Sequence, residues 1–235
     1  MDPRARGAGR SPLSERRGDP HAGIPGRRLF VGVPLPAAAA KAVTAIVDEV
    51  RTAGLPDGAR DVRWVRLDGL HLTLRFLGPT PDSLIEPTRA AVREVARVAE
   101  GPIDLELTGA GTFPRATRPR TLWIGVGGAT DALDRLAGLT ERHLVAAGWP
   151  PEPRPYRPHL TLARSDGVQV GPLVAGRLIA AMNGRAIPCT IDHVGLFESV
   201  TGGGPARYVP VALEHLGPVP DAATSVYHQT TPDPS

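Results

Sequence analysis

The chain has almost no lysine: Lys41 is the single one among 27 basic residues, and all the others are arginine. It has one cysteine, Cys189, so neither an intrachain disulfide nor a paired-thiolate metal site can form, and a reducing compartment is expected. No apolar run approaches the roughly 18 residues a membrane span needs, and the basic N-terminus carries no apolar h-region. A cytoplasmic protein with no membrane partner is expected. There is also no HExxH, no Walker-type phosphate loop and no adenylated-lysine motif, so the commonest zinc-hydrolase and nucleotide-driven ligase signatures are missing.

What is present suffices for one sizeable core, since 41% of the 235 residues are hydrophobic. The net charge is only +3, but arginine-rich usage suits an anionic or RNA-like ligand, because guanidinium groups grip phosphate bidentately and stack on bases. Genome base composition accounts for that usage equally well. Residues 1–26 contain Arg, Pro, Gly and Ser with few large apolar side chains, and are expected to form a disordered extension. Residues 217–235 are expected to be a flexible tail, leaving a folded region over 27–216. No obligate protein partner is evident, and a monomer is expected.

Apolar patterning within the folded region predicts strands at "RRLFVGVPL", "LHLTLRFLG", "IDLELTGAGTF", "RTLWIGVGG", "PHLTLAR", "IPCTIDHVGLFES" and "ARYVPVALEHL". Helices are predicted after Pro36 to near Gly54, over about 82–99, over "TDALDRLAGLTERHLVAAG", and over about 172–182. The order repeats at an offset near ninety residues, which suggests two similar lobes.

Each half contains the same tetrad, His71-Leu72-Thr73-Leu74 and His159-Leu160-Thr161-Leu162. On a strand the His and Thr share one face and the leucines the other. Core packing would repeat the leucines, but it has no reason to repeat His and Thr at the same offsets. Two imidazoles facing across a cleft are what acid/base cleavage of a phosphodiester requires: one neutral, to accept a proton, and one protonated, to give one. The threonine hydroxyls can donate to phosphate oxygens whose charge grows in the transition state, and no metal or cofactor is needed. A zinc site using both histidines is the alternative, with His193 and Asp192 as the residues it could recruit. By strand parity Arg75, four residues after His71, faces the cleft and can clamp phosphate, whereas Arg164, five after His159, faces away unless the strand bulges.

These residues resemble the bacterial and archaeal RNA 2',3'-cyclic phosphodiesterases, also called 2'-5' RNA ligases, of the 2H phosphoesterase superfamily. Five landmarks carry the resemblance in order: "RLFVGVPLP", "LHLTLRFLG", "GTFPRATRPRTLWIGV", "YRPHLTLAR" and "VGLFES…ARYVPVAL". The resemblance implies an α+β, bilobal fold with an antiparallel sheet and helices in each of two pseudo-symmetric lobes and the active-site cleft between them. It implies metal-independent hydrolysis of an RNA terminal 2',3'-cyclic phosphate to a 2'-phosphomonoester, with His71 as proton donor and His159 as the base that activates water. It raises Arg164 as a basic position after the second motif, and makes Phe30 and Phe113 candidates for stacking on a base. Reversible 2'-5' ligation in the same cleft, or action on small cyclic nucleotides, is the alternative activity.

Overall fold

Strand and helix periods in the sequence translate into nine strands and four helices among the residues described by the computed structural model, which are 26–54, 62–165, 170–202 and 204–217. In chain order they are β1 (Arg27–Pro34), α1 (Ala37–Thr52), β2 (Val62–Trp64), β3 (His71–Thr80), α2 (Asp82–Val98), β4 (Ile103–Phe113) and β5 (Thr121–Gly128). There follow α3 (Thr130–Ala146), β6 (His159–Ser165), α4 (Gly171–Met182), β7 (Ala186–Ile191), β8 (His193–Val200) and β9 (Arg207–His215). Apart from Gly26 and Gly217, the segments expected to be an N-terminal extension and a C-terminal tail lie outside the described residues.

The strands form one antiparallel sheet in the order β7-β4-β5-β6-β3-β1-β8-β9, with β2 also paired to β6. Its centre is the contact between the two His-Leu-Thr-Leu strands, and the neighbours on either side match: β5 flanks β6 as β1 flanks β3. Leu29-Phe30-Val31-Gly32-Val33 of β1 and Leu122-Trp123-Ile124-Gly125-Val126 of β5 are the corresponding stretches. The outer strands are exchanged. β4 follows α2 but joins β5 and β7, while β8 and β9 return from the end of the chain to β1.

That exchange explains a difference from the sequence reading. The stretch 187–199, read as one strand, breaks at Asp192 into β7 and β8, which belong to opposite sides of the sheet. The break is held by the Leu216 N–H, which donates to the Asp192 carbonyl at 2.8 Å. Strand β2 was not foreseen because three residues carry too little pattern.

Leu29, Leu72, Leu122, Ile124, Leu160 and Leu162 are fully buried, in one core that also takes in Val43 and Val47 of α1, Val92 and Val95 of α2, Leu133 and Leu136 of α3 and Leu178 of α4. Each such leucine contributes roughly 1.5–3 kcal/mol by leaving water, so the apolar half of each tetrad anchors its strand. The polar half is left for the other face.

Candidate active site

Strands β3 and β6 pair at a single position, Leu72 opposite Leu160. Antiparallel register about that pair sets His71 against Thr161 and Thr73 against His159, with all four side chains on the face away from the leucine core. Beyond that pair the strands run beside different neighbours, β1 and β5. All four side chains are half-buried, as groups lining a cleft would be.

Both imidazoles are pinned in the same way. His71 Nδ1–H donates to the Gly69 carbonyl at 2.8 Å, and His159 Nδ1–H donates to the Arg157 carbonyl at 2.7 Å. A carbonyl only accepts, so the proton of a neutral ring sits on Nδ1 and Nε2 carries the lone pair. His71 lies flat against Phe30, ring centroids 4.5 Å apart and 25° between planes, and Tyr208 stands at 84° to it with 4.7 Å between centroids. Gly32, opposite Thr73, makes room for this, because a Cβ there would come 2.9 Å from the Leu72 carbonyl oxygen and 3.4 Å from His71 Cδ2. His159 is bounded instead by Phe113, edge-on at 5.1 Å, and by Trp123 at 6.5 Å.

Burial pushes the His71 imidazole below its ordinary pKa, against the opposing pull of the Gly69 carbonyl. His159 is lowered too, first by burial and further by the positive charge of Arg164, while the Arg157 carbonyl opposes both. Each ring is therefore biased toward the neutral form in the free protein. That state suits a base, and an acid at the same site needs an anion beside it to hold its proton.

The arginines lie opposite to what parity predicts, and a bulge in each strand is the reason. Val31 pairs with Arg75 and Gly32 with Thr73, so Leu74 is an extra residue in β3; Leu122 pairs with Ala163 and Trp123 with Thr161, so Leu162 is its counterpart in β6. Leu74 and Arg75 are consequently buried in succession, as are Leu162 and Ala163. The expectation that Arg75 faces the cleft is corrected: it turns to the helical side, 8% exposed, donating to Glu141 at 2.9 Å and to the Pro150 carbonyl at 2.8 Å. Arg164 shares the face of His159 and Thr161, exposed and steadied by a 2.7 Å bond from Nη1 to the Thr121 hydroxyl.

Phe30 is corrected as well. It is 0% exposed and cannot offer a face to a base; it supports the His71 ring. Phe76, which occupies in β3 the place Arg164 holds in β6, is 47% exposed on the cleft face and nearly parallel to Phe30, 14° between planes. Sequence reasoning passed over Phe76, because it lies outside the tetrad and reads as core. It also passed over Tyr208, and over Arg63, which pairs directly with Arg164 across β2 and β6. His193 and Asp192, the residues a zinc site might have recruited, hold one another at 2.7 Å beside His215, on β8 and the break before it, with β1 between them and β3.

A curled antiparallel sheet that brings two His-x-Thr pairs together across one residue pair is the arrangement a two-histidine phosphoesterase would need. Residues 35–203 match the 2'-5' RNA ligase superfamily, and the chain belongs to that family. It is 37% identical over 123 residues to the RNA 2',3'-cyclic phosphodiesterase of Aeropyrum pernix, a match covering 52% of this chain and 65% of that one. It is 30% identical over 187 residues to the protein of the same name from Escherichia coli K12, covering 79% and 94%. Thus the chain spans just under two thirds of the first relative's length and nearly all of the second's. The crystal structure of E. coli LigT complexed with 3'-AMP shares the fold, with a TM-score of 0.59 at 24% identity over 81% of this chain and 98% of that one. Among the described residues no helix is long and apolar enough to cross a membrane.

Proposed function

We propose that the chain hydrolyses the terminal 2',3'-cyclic phosphate of RNA to a 2'-phosphomonoester, with His159 as general base and His71 as general acid. The observation that carries this is the Leu72–Leu160 pair, about which both histidines and both threonines gather on one face. The name borne by the A. pernix and E. coli relatives supports the substrate class.

In the proposed step a water oxygen attacks phosphorus while His159 Nε2 takes its proton. The P–O3' bond breaks, and His71 Nε2 gives its proton to O3'. The product carries a 2'-phosphate and a 3'-hydroxyl, and solvent returns the proton from His159 to His71. Thr73, Thr161 and Arg164 face the non-bridging oxygens, where two hydroxyl donors and a guanidinium offset the growing charge. The bound phosphate supplies the anion that His71 needs to stay protonated against its burial. Phe76, exposed on the same face, is the platform for a base, in place of Phe30.

The experiment is product analysis of a labelled RNA oligomer ending in 2',3'-cyclic phosphate, with EDTA present. A 2'-phosphate is expected. A 3'-phosphate would reject O3' as the leaving group, and activity abolished by EDTA would require a metal. Joining to a 5'-hydroxyl acceptor through a 2'-5' bond is the same transfer with a ribose hydroxyl in place of water, and a longer product on a gel would reveal it.

A further inference from the structure

Tyr208 reaches the His71 end of the cleft from β9, where it pairs with Ser199 and so shares the face of Phe197 and Phe30. Its ring meets His71 edge-on at 4.7 Å and Phe30 edge-on at 5.2 Å. It also lies against the turn that holds the imidazole: a Cβ on Gly69 would be 3.0 Å from Tyr208 Cδ2, and the Gly69 carbonyl is the one His71 Nδ1 donates to. All these contacts use the ring alone, and phenylalanine would make them equally well.

The hydroxyl serves none of them. Among the described residues it has no hydrogen-bond partner, yet it is not sealed from solvent. Tyr208 and His71 both line a cavity of about 210 Å³, with Asp68, Phe197 and Leu67. Burial holds the phenol above its ordinary pKa, and the charge of Arg164, from the opposite strand, is felt at it. It is therefore a neutral O–H donor at working pH, carried on a ring that borders His71.

We propose that the Tyr208 hydroxyl donates a hydrogen bond to a non-bridging oxygen of the substrate phosphate, on the His71 side of phosphorus. The inference rests on the cyclic phosphodiesterase reading above. It adds a donor from β9 to those supplied by β3 and β6, on the side where Phe76 rather than an arginine holds the place Arg164 has in β6. A donor fixed in place before the reaction lowers the barrier because no reorganisation is needed as charge develops.

The test is Tyr208→Phe, which keeps the ring, assayed on a dinucleotide ending in 2',3'-cyclic phosphate and on the two cyclic phosphorothioate diastereomers, each with one non-bridging oxygen replaced by sulfur. Loss of one donor is expected to lower kcat by about tenfold or more, with little change in KM. Sulfur accepts hydrogen bonds poorly, so the substitution should cost little on the diastereomer whose sulfur faces Tyr208 and its full effect on the other. This contrast is read within one variant and does not depend on how much of it folds. An unchanged kcat, or an equal loss on both diastereomers, overturns the contact. A wild-type protein inert on the parent dinucleotide overturns the phosphodiesterase reading, and this inference with it.

Discussion

Replacing Arg75 with methionine separates the two places a side chain four residues after His71 could occupy. In the structure the Arg75 side chain is 9% exposed and its guanidinium is ion-paired with Glu141 at 2.9 Å and Glu152 at 3.6 Å. It also satisfies the Pro150 carbonyl. Removing one partner of a buried pair costs about 3–5 kcal/mol when the other stays buried. Glu141 and Glu152 are 31% and 24% exposed and regain water in part, so the loss here is about 2–4 kcal/mol, of which roughly 1 is the orphaned carbonyl. For a chain of this size that lowers Tm by about 5–15 °C. The assay is urea and thermal unfolding beside steady-state kinetics at a temperature where the variant is folded, and KM should stay within about twofold. A variant with unchanged stability and a KM raised tenfold would put Arg75 on the phosphate and refute the bulge at Leu74 as the device that turns it away.

The exposed ring of Phe76 predicts a loss confined to substrate affinity: Phe76→Ala should raise KM by about 5- to 100-fold, the worth of one base stacked on an aromatic, without loss of stability. Phe30→Ala, at a fully buried ring, should cost about 3–5 kcal/mol of stability and reduce kcat by releasing His71. The lowered pKa of both histidines predicts that kcat/KM, which reports the free protein, peaks on the acid side of 6.5. As pH rises through the depressed value the His71 proton is lost and the rate falls. In the complex the phosphate charge raises the His71 value, so the alkaline limb of kcat should lie at higher pH than that of kcat/KM. Coincident limbs would mean that substrate does not restore the proton.

The alternation of leucine with His and Thr was legible because each tetrad obeys the period of a strand up to its last leucine. Beyond Leu74 and Leu162 the period fails, since a bulge adds one residue that no apolar pattern marks. Two successive buried residues follow, and Arg75 trades places with Phe76 while Arg164 returns to the cleft. The resemblance to the family had already favoured Arg164 over its parity, and the bulge supplies the physical reason. The antiparallel α+β architecture was readable from element order, but the exchange of β4 and β8 was not, because it depends on which sheet edge each strand finds. Tyr208 went unread for a related reason: a single aromatic on a late strand looks like core until β9 folds back beside β8 and brings it to His71.

The division of labour between the two imidazoles is tested most directly by a cyclic substrate whose bridging 3' oxygen is replaced by sulfur. A thiolate departs without a proton, so the sulfur substrate should restore His71→Ala to near the wild-type rate on that same substrate and leave His159→Ala inactive. Rescue of His159→Ala instead, or of neither variant, would contradict His71 as the group that protonates the leaving oxygen.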